Sequence, residues 1–381
     1  MRGFLSREEA EEVTWLELLY DLVFVAILIQ LGNMLSHDLT FATALEFALL
    51  LGLLWWAWLG TSTLYCRDLQ SDSVKRLLMF AQLFALGTLG IVVADTFADK
   101  GASFCVLYGA VRALVGLLYL WVARVQGSKG AWQFGVGFIA AAGVWVVSAF
   151  LSPPYRYALW AVAVAIDVWV IFFWGLARIN AEMPLNLERL SERMGQFVLI
   201  MIGESFIKTI GSDLTETGIT FTSVVFGGMG FIITASLWRT YFGDTAQMRL
   251  SDRDVPYWIM LHLPLVAGIA ATGVALLEVV TLTFGAEFNL AYRTLLGGAL
   301  GLYFLTLALI DVSAGQEVKR LRVLSHGGAV VALVVLLLFG TALSPFWEVL
   351  IITLICLSQV VVEVVLKEQG PTSVRVTKLE A

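Results

Sequence analysis

The sequence predicts an all-α polytopic membrane protein of about twelve transmembrane helices, built as two six-helix repeats of parallel topology with both termini cytoplasmic. Three observations carry this expectation. Hydrophobic residues are 59% and charged residues 14% of the 381-residue chain, with a mean hydropathy of +0.85. Soluble domains hold roughly 45–50% apolar and about 25% charged residues, and no soluble core could bury the surplus. Apolar stretches of ~20 residues, the length of one bilayer crossing, recur along the whole chain. The basic residues between them alternate in density, which the positive-inside rule reads as orientation.

In chain order, spans are expected near 13–36, 41–64 and 74–96, with Arg67, Lys75 and Arg76 at the turn between the second and third. The first is too long for a signal-peptide core and shows no small-residue cleavage site. Spans 103–125 and 131–151 flank Arg124 and Lys129, and 156–178 ends at Arg178 before Arg189 and Arg193. The second half repeats the scheme with 193–212, 219–241, 256–280, 290–312, 323–342 and 345–366. With the N-terminus inside, the cytoplasmic segments also hold Arg2, Arg7, Arg239, Arg249, Arg253, Lys319, Arg320, Arg322, Lys367, Arg375 and Lys378. Of the 24 basic residues, five lie elsewhere: Lys100, Arg112, Arg156, Lys208 and Arg293. Trp15, Trp121, Trp132, Trp174, Trp238 and Trp258 fall near inner ends and Trp145, Trp160 and Trp347 near outer ends, as interfacial anchors do. The organisation expected is a tail 1–12, a first repeat 13–178, a linker 179–192, a second repeat 193–366 and a tail 367–381. The connections 179–192 and 242–255 are too small to be domains.

The halves match at an offset near 180 residues. Thr40-Phe41 corresponds to Thr220-Phe221, Trp58 to Trp238 and Gln82 to His262. With small gaps, Gly116-Leu117 resembles Gly301-Leu302, and Leu159-Trp160 resembles Phe346-Trp347. An even number of helices per half gives both halves the same topology, related by an axis along the membrane normal.

Other classes are excluded. A net charge of −6 is no nucleic-acid footprint. Cys66, Cys105 and Cys356 are too far apart to signal a disulfide framework or a zinc ribbon. The chain has no HExxH, GxSxG or Walker loop and no paired aspartate-rich prenyl-diphosphate motif, and a retinal Schiff base would want a lysine deep in a late helix, whereas Lys367 stands at the end of the last one. No cofactor or metal is expected, and the balance leans away from an enzyme.

Ionisable groups at bilayer depth cost ~2.5–3.5 kcal/mol each on insertion scales, so each calls for a function or a partner. Glu17 and Asp21 are four apart, on one helix face, where they would repel and invite a shared proton or a cation; the bland alternative is a headgroup position for Glu17 and, for Asp21, capping of a neighbouring helix or pairing with a structural arginine. Glu204 and Lys208 stand in the favourable order for an i,i+4 ion pair. Arg112 and Asp167 are mid-span, and pairing them is the economical solution, with Asp21 the other counter-ion open to Arg112. His262 could relay protons or simply hydrogen-bond across helices, and Pro264 should bend its helix. His37 and His326 lie near helix ends and are expected at the membrane interface, and Glu46, Asp95, Glu278, Asp311, Glu348 and Glu363 are also near ends, where solvation explains them. Gly227-Gly228-Met229-Gly230 and Gly297-x-x-x-Gly301 permit close helix contacts.

The segment Trp15-Leu16-Glu17-Leu18-Leu19-Tyr20-Asp21-Leu22-Val23-Phe24-Val25 resembles the opening signature of the bacterial low-temperature-requirement A (LtrA) family. Glu192-Arg193, Ile202-Gly203-Glu204-Ser205 and His262-Leu263-Pro264-Leu265 are similar to further stretches of it, and the likeness runs from residue 13 to about 360. Tyr20 stands where that family often has phenylalanine. The resemblance implies a multi-pass protein of the bacterial cytoplasmic membrane linked to growth in the cold, and implies no settled substrate.

The functional expectation is a proton-coupled secondary transporter of an unknown solute. A cation or proton channel, or a membrane-embedded enzyme acting on lipid or isoprenoid, stays open. Glu17, Asp21, Glu204 and His262 are the expected substrate or proton site, lining a cavity near the interface of the halves, with Gln82, Arg112, Asp167 and Lys208 in support. The partners expected are membrane lipid and a small-molecule or ion substrate, and a homo-oligomer is compatible with the chain. Reporter fusions placed after Lys367 and in the 97–102 loop should report opposite sides of the membrane. If both report the same side, the helix count is wrong.

Overall fold

The computed structural model describes residues 15–68, 72–211, 220–243, 254–285, 287–313 and 320–368. Among these residues there are twelve long helices and no strand. They are α1 Trp15–His37, α2 Phe41–Arg67, α3 Ser73–Val92, α4 Gly101–Gln126, α5 Lys129–Ser148, α6 Tyr155–Glu182, α7 Leu187–Gly211, α8 Phe221–Gly243, α9 Val255–Thr281, α10 Leu290–Ser313, α11 Arg320–Phe339 and α12 Pro345–Glu368. All but α7 are long and apolar enough to cross a membrane. Both expected tails, apart from the last turn of α12, lie outside the described residues, as does 244–253 of the connection 242–255.

The core is apolar, as in a water-soluble protein, but the exterior is apolar too and charged groups lie inside. Phe84, Ile91 and Phe150 are exposed, while Asp21, Arg112, Asp167 and Arg193 are fully buried. An apolar exterior around charged interior groups is what lipid as solvent selects. The chain is a polytopic membrane protein.

The chain divides into two compact units, Met1–Ile200 and Met201–Ala381, with the boundary inside α7. In the first unit α4 packs most extensively on α5 and also on α3, α1 packs on α2 and α3, and α5 packs on α6. In the second, α10 lies between α9 and α11, while α12 packs on α8 and α11.

Helix ends follow capping chemistry. Thr40 accepts the Thr43 N–H at the start of α2, and Thr220 accepts the Ser223 N–H at the start of α8. Asp72 caps α3 by accepting the Lys75 N–H, and it also accepts the Trp121 indole N–H. Partial burial works against the Asp72 charge, yet these donors hold its carboxyl below the usual range. Gly127, at φ 70°, ends α4 in the left-handed conformation. Asn186 accepts the Arg189 N–H and starts α7 at Leu187, six residues before the expected 193, while α6 persists to Glu182. The expected linker 179–192 is therefore mostly helical. What remains of it is tied down: Arg67 donates to Met183 O (2.6 Å) and Asn180 Oδ1 (2.7 Å), and the Asn186 N–H donates to Cys66 O.

Helix α6 contains a π turn over Val170–Gly175, three residues after Asp167. Helix α9 continues through Pro264. The α4–α5 contact is set by two glycines that face each other. A Cβ on Gly135 would lie 2.6 Å from Leu120 and 2.9 Å from Gly116 O, and one on Gly116 would lie 3.0 Å from Gly135 O. In the glycine runs read for close contact, Gly230 meets Thr209 and Gly297 meets Leu337, whereas Gly227, Gly228 and Gly301 have open space. Replacing Gly135 with Ile should lower the melting temperature in detergent by the equivalent of ~1–3 kcal/mol, the cost of overpacking. Gly143→Ala on the same helix, with nothing within 4 Å, should leave it unchanged.

Candidate functional site

Glu17 and Asp21 occupy successive turns of α1, and Arg189 and Arg193 occupy successive turns of α7. Two i,i+4 pairs have the same ~6 Å spacing, so the four charges can mesh. Arg189 Nη2 donates to Glu17 Oε1 (2.5 Å), Arg193 Nη1 to Glu17 Oε2 (3.0 Å) and Arg193 Nη2 to Asp21 Oδ1 (2.7 Å). Trp58 of α2 donates its indole N–H to the same Asp21 oxygen at 2.7 Å. All four charged side chains are buried, none more than 3% exposed. Glu17 is therefore covered by protein and holds both arginines. Arg193 bridges the two carboxylates, Arg189 adds a second bond to Glu17, and two arginines against two carboxylates sum to zero charge.

Aromatic rings wall the cluster. Trp58 stacks on Trp55 at 5.0 Å, Phe197 of α7 meets Trp58 at 4.7 Å and Trp55 at 5.7 Å, and the Arg193 guanidinium lies 5.9 Å from the Trp58 ring. One turn away, Thr61 Oγ1 accepts from both Tyr20 and Gln82 at 2.9 Å, which joins α1, α2 and α3 at one hydroxyl. Asp21 Oδ2 and Arg193 Nε, both buried, have no hydrogen-bond partner among the described residues.

Arg112 pairs with Asp167 at 2.7 Å, both fully buried, and its guanidinium lies over the Phe138 ring at 4.4 Å. Of the two counter-ions open to it, Arg112 takes Asp167. The first unit thus unites Glu17 with Asp21, and Arg112 with Asp167, in two separate clusters, and ties Gln82 to Thr61.

The second unit holds the remaining expected residues. Glu204 pairs with Lys208 on its own helix at 2.6 Å. His262 is fully buried between Trp258 O (2.7 Å from Nδ1) and Tyr241 OH (3.0 Å from Nε2). A carbonyl can only accept, so Nδ1 carries the proton and Nε2 accepts from tyrosine. Both ring nitrogens are engaged, Nδ1 within its own helix and Nε2 across to α8. Four end-of-helix groups, three expected to be solvated and His326 expected at the interface, are instead buried and paired. Arg293 binds Glu348, Arg322 binds Asp311 at 2.8 Å, Arg239 binds Glu363 at 3.4 Å, and His326 Nδ1 meets Gln359 Oε1 at 3.1 Å. Among the described residues no three His, Cys, Asp or Glu side chains converge as metal ligands.

The arginines of the main cluster were not legible as site residues. Near the start of a span they read as cytoplasmic charge, and 172 residues of sequence separate each from its carboxylate. The available signal was their own i,i+4 spacing, which matches that of Glu17 and Asp21.

The family model for bacterial low temperature requirement A protein (LtrA) matches residues 12–362. An uncharacterised protein of Rhizobium meliloti (strain 1021) is 28% identical over 323 residues, covering 77% of this chain and 74% of that protein.

Removing one member of a buried pair leaves an uncompensated charge, at a cost of ~3–5 kcal/mol. Arg112→Met should therefore destabilise the detergent-solubilised protein strongly, and Arg112→Met with Asp167→Leu should recover most of the loss. A double variant no better than the single one would show that the ion pair is not what the site requires.

Proposed function

We propose that this chain, which belongs to the LtrA family, is a proton-coupled secondary transporter of a small solute in the cytoplasmic membrane. The observation that carries the reading is the charge-balanced cluster of Glu17, Asp21, Arg189 and Arg193, buried out of water. A single proton on Asp21 would leave Arg193 with surplus charge in low dielectric, which the closed arrangement is poorly able to hold. Protonation then becomes a conformational input, as coupling requires.

The reading is supported by the likeness of the two units in their internal bonds. Gln82 of α3 bonds Thr61 of α2, and His262 of α9 bonds Tyr241 of α8, both residues displaced by 180. Tyr119 of α4 bonds Gly60 O and Thr63 of α2, while Tyr303 of α10 bonds Leu237 O and Thr240 of α8. Arg112–Asp167 joins α4 to α6, and Arg293–Glu348 joins α10 to α12. These parallels favour duplication into two six-helix repeats, a plan common among transporters. Twelve crossings with both termini cytoplasmic complete the proposal, with α7 as the span whose charges are matched by α1 and by its own Glu204–Lys208 pair.

Reconstituted in liposomes with an imposed proton gradient, the protein should accumulate one solute from a screened set with saturable kinetics. Asp21→Asn should insert normally and lose the pH dependence of uptake. Ungated current would select the channel instead, and altered lipid products the enzyme.

A further inference from the structure

We infer that the fork of Arg193, with Arg189 beside it, is a binding site for a carboxylate-bearing monoanion that takes the place of Asp21 when Asp21 carries a proton. This deepens the transporter reading by naming a substrate class, and rests on that reading only for movement across the membrane.

The geometry separates the two carboxylates of the cluster. Glu17 uses both oxygens, one on each arginine. Asp21 meets Arg193 through Oδ1 alone, and that oxygen is shared with the Trp58 indole. A guanidinium offers a carboxylate two parallel N–H groups along one edge, and the bidentate pair is the strong form. On the Nε/Nη2 edge of Arg193, Asp21 occupies Nη2, while Nε has no hydrogen-bond partner among the described residues. Its mate, Asp21 Oδ2, has none either, although both atoms are buried. Asp21 is thus a one-point occupant of a two-point site, so an incoming carboxylate that engages both N–H groups binds that edge better.

Charge sets the stoichiometry. Two arginines and two carboxylates sum to zero. A proton delivered by hydronium to a carboxylate oxygen of Asp21, releasing neutral water, leaves the cluster at +1, and one monoanion restores neutrality. No covalent bond to the solute forms, and both guanidinium groups keep their protons. The groups facing Asp21 are Glu17 on its own helix, Arg193 on α7 and Trp58 on α2. Cys66 and Tyr65 of α2 face the same charges, and on α3 Lys75 is committed to Asp68. The Trp55, Trp58 and Phe197 rings give the site an apolar wall, which suits a carboxylate on a small organic body over an inorganic ion.

Lactate, which stays ionised at pH 5, is the probe. Thermal unfolding of the purified full chain in detergent would be followed at pH 5 and pH 7.5 in lactate, chloride or phosphate at equal ionic strength. Lactate should raise the melting temperature by a few degrees at pH 5 and by much less at pH 7.5, as a ligand of the protonated state does. Asp21→Asn, which mimics that state, should show the lactate shift at both pH values. Arg193→Lys keeps the charge but lacks the fork and should show it at neither. Should Arg193→Lys fail to fold, the wild-type and Asp21→Asn curves decide alone. Equal effects of lactate and chloride in both proteins, or stabilisation by phosphate only, would overturn the assignment. Labelled-lactate uptake into proteoliposomes separates the two ideas. Binding without uptake keeps the anion site and sinks the transporter, whereas proton-driven uptake of another solute without anion binding does the reverse.

Discussion

A charge removed from water must meet an opposite charge or become very costly, and this demand organises the interior of the protein. The idealised cost of burying one carboxylate or guanidinium is on the order of 20 kcal/mol, and several kcal/mol remain after relaxation. Each compact unit answers with ion pairs between helices that are not neighbours in sequence, such as α4 with α6 and α10 with α12. Apolar packing alone is weakly directional in lipid, where the tails compete on equal terms with side chains. The pairs therefore select which helices meet and at what height. The cluster of α1 and α7 carries the same logic furthest, because four charges and one indole donor converge there.

Side-chain hydroxyls perform a second, quieter task. Thr61, Thr63 and Thr240 each receive or share a bond from a tyrosine or glutamine on another helix. A threonine hydroxyl can bond a neighbour while staying close to its own helix backbone, so these contacts cost little desolvation. They hold α2 and α8 in register with the helices around them, at the level of the charged clusters.

The positions of the helices along the chain were legible in the sequence, and facing direction was not. The apolar stretches and their basic flanks located the long helices to within a few residues, apart from α7, whose Asn186 cap extends it into the expected linker. The Arg112–Asp167 and Glu204–Lys208 pairs followed from mid-span position and i,i+4 spacing. Glu348, Asp311 and Glu363 read as solvated because position along a helix says how near the end a residue lies. It does not say whether the side chain turns to lipid, water or a partner helix. Arg189 and Arg193 were hidden for that reason. An arginine at the start of a span looks the same whether it reaches outward to headgroups or inward to a carboxylate, and only tertiary packing distinguishes the two.

The π turn in α6 ties chain length to aim. An i→i+5 loop holds one more residue than an α-turn, so the helix before it is rotated by ~100° relative to an uninterrupted α-helix. Val170–Gly175 begins three residues after Asp167, with Val170 against Gly137 and Gly175 against Phe134 fixing both ends of the turn on α5. The direction in which the Asp167 carboxylate points thus depends on the number of residues between it and Gly175 as much as on their identity. A relative one residue shorter in that stretch would keep every side chain named here and still turn its aspartate off the arginine. In this part of the fold, a single-residue deletion is a steering event, and a gap in an alignment carries as much information as a substitution.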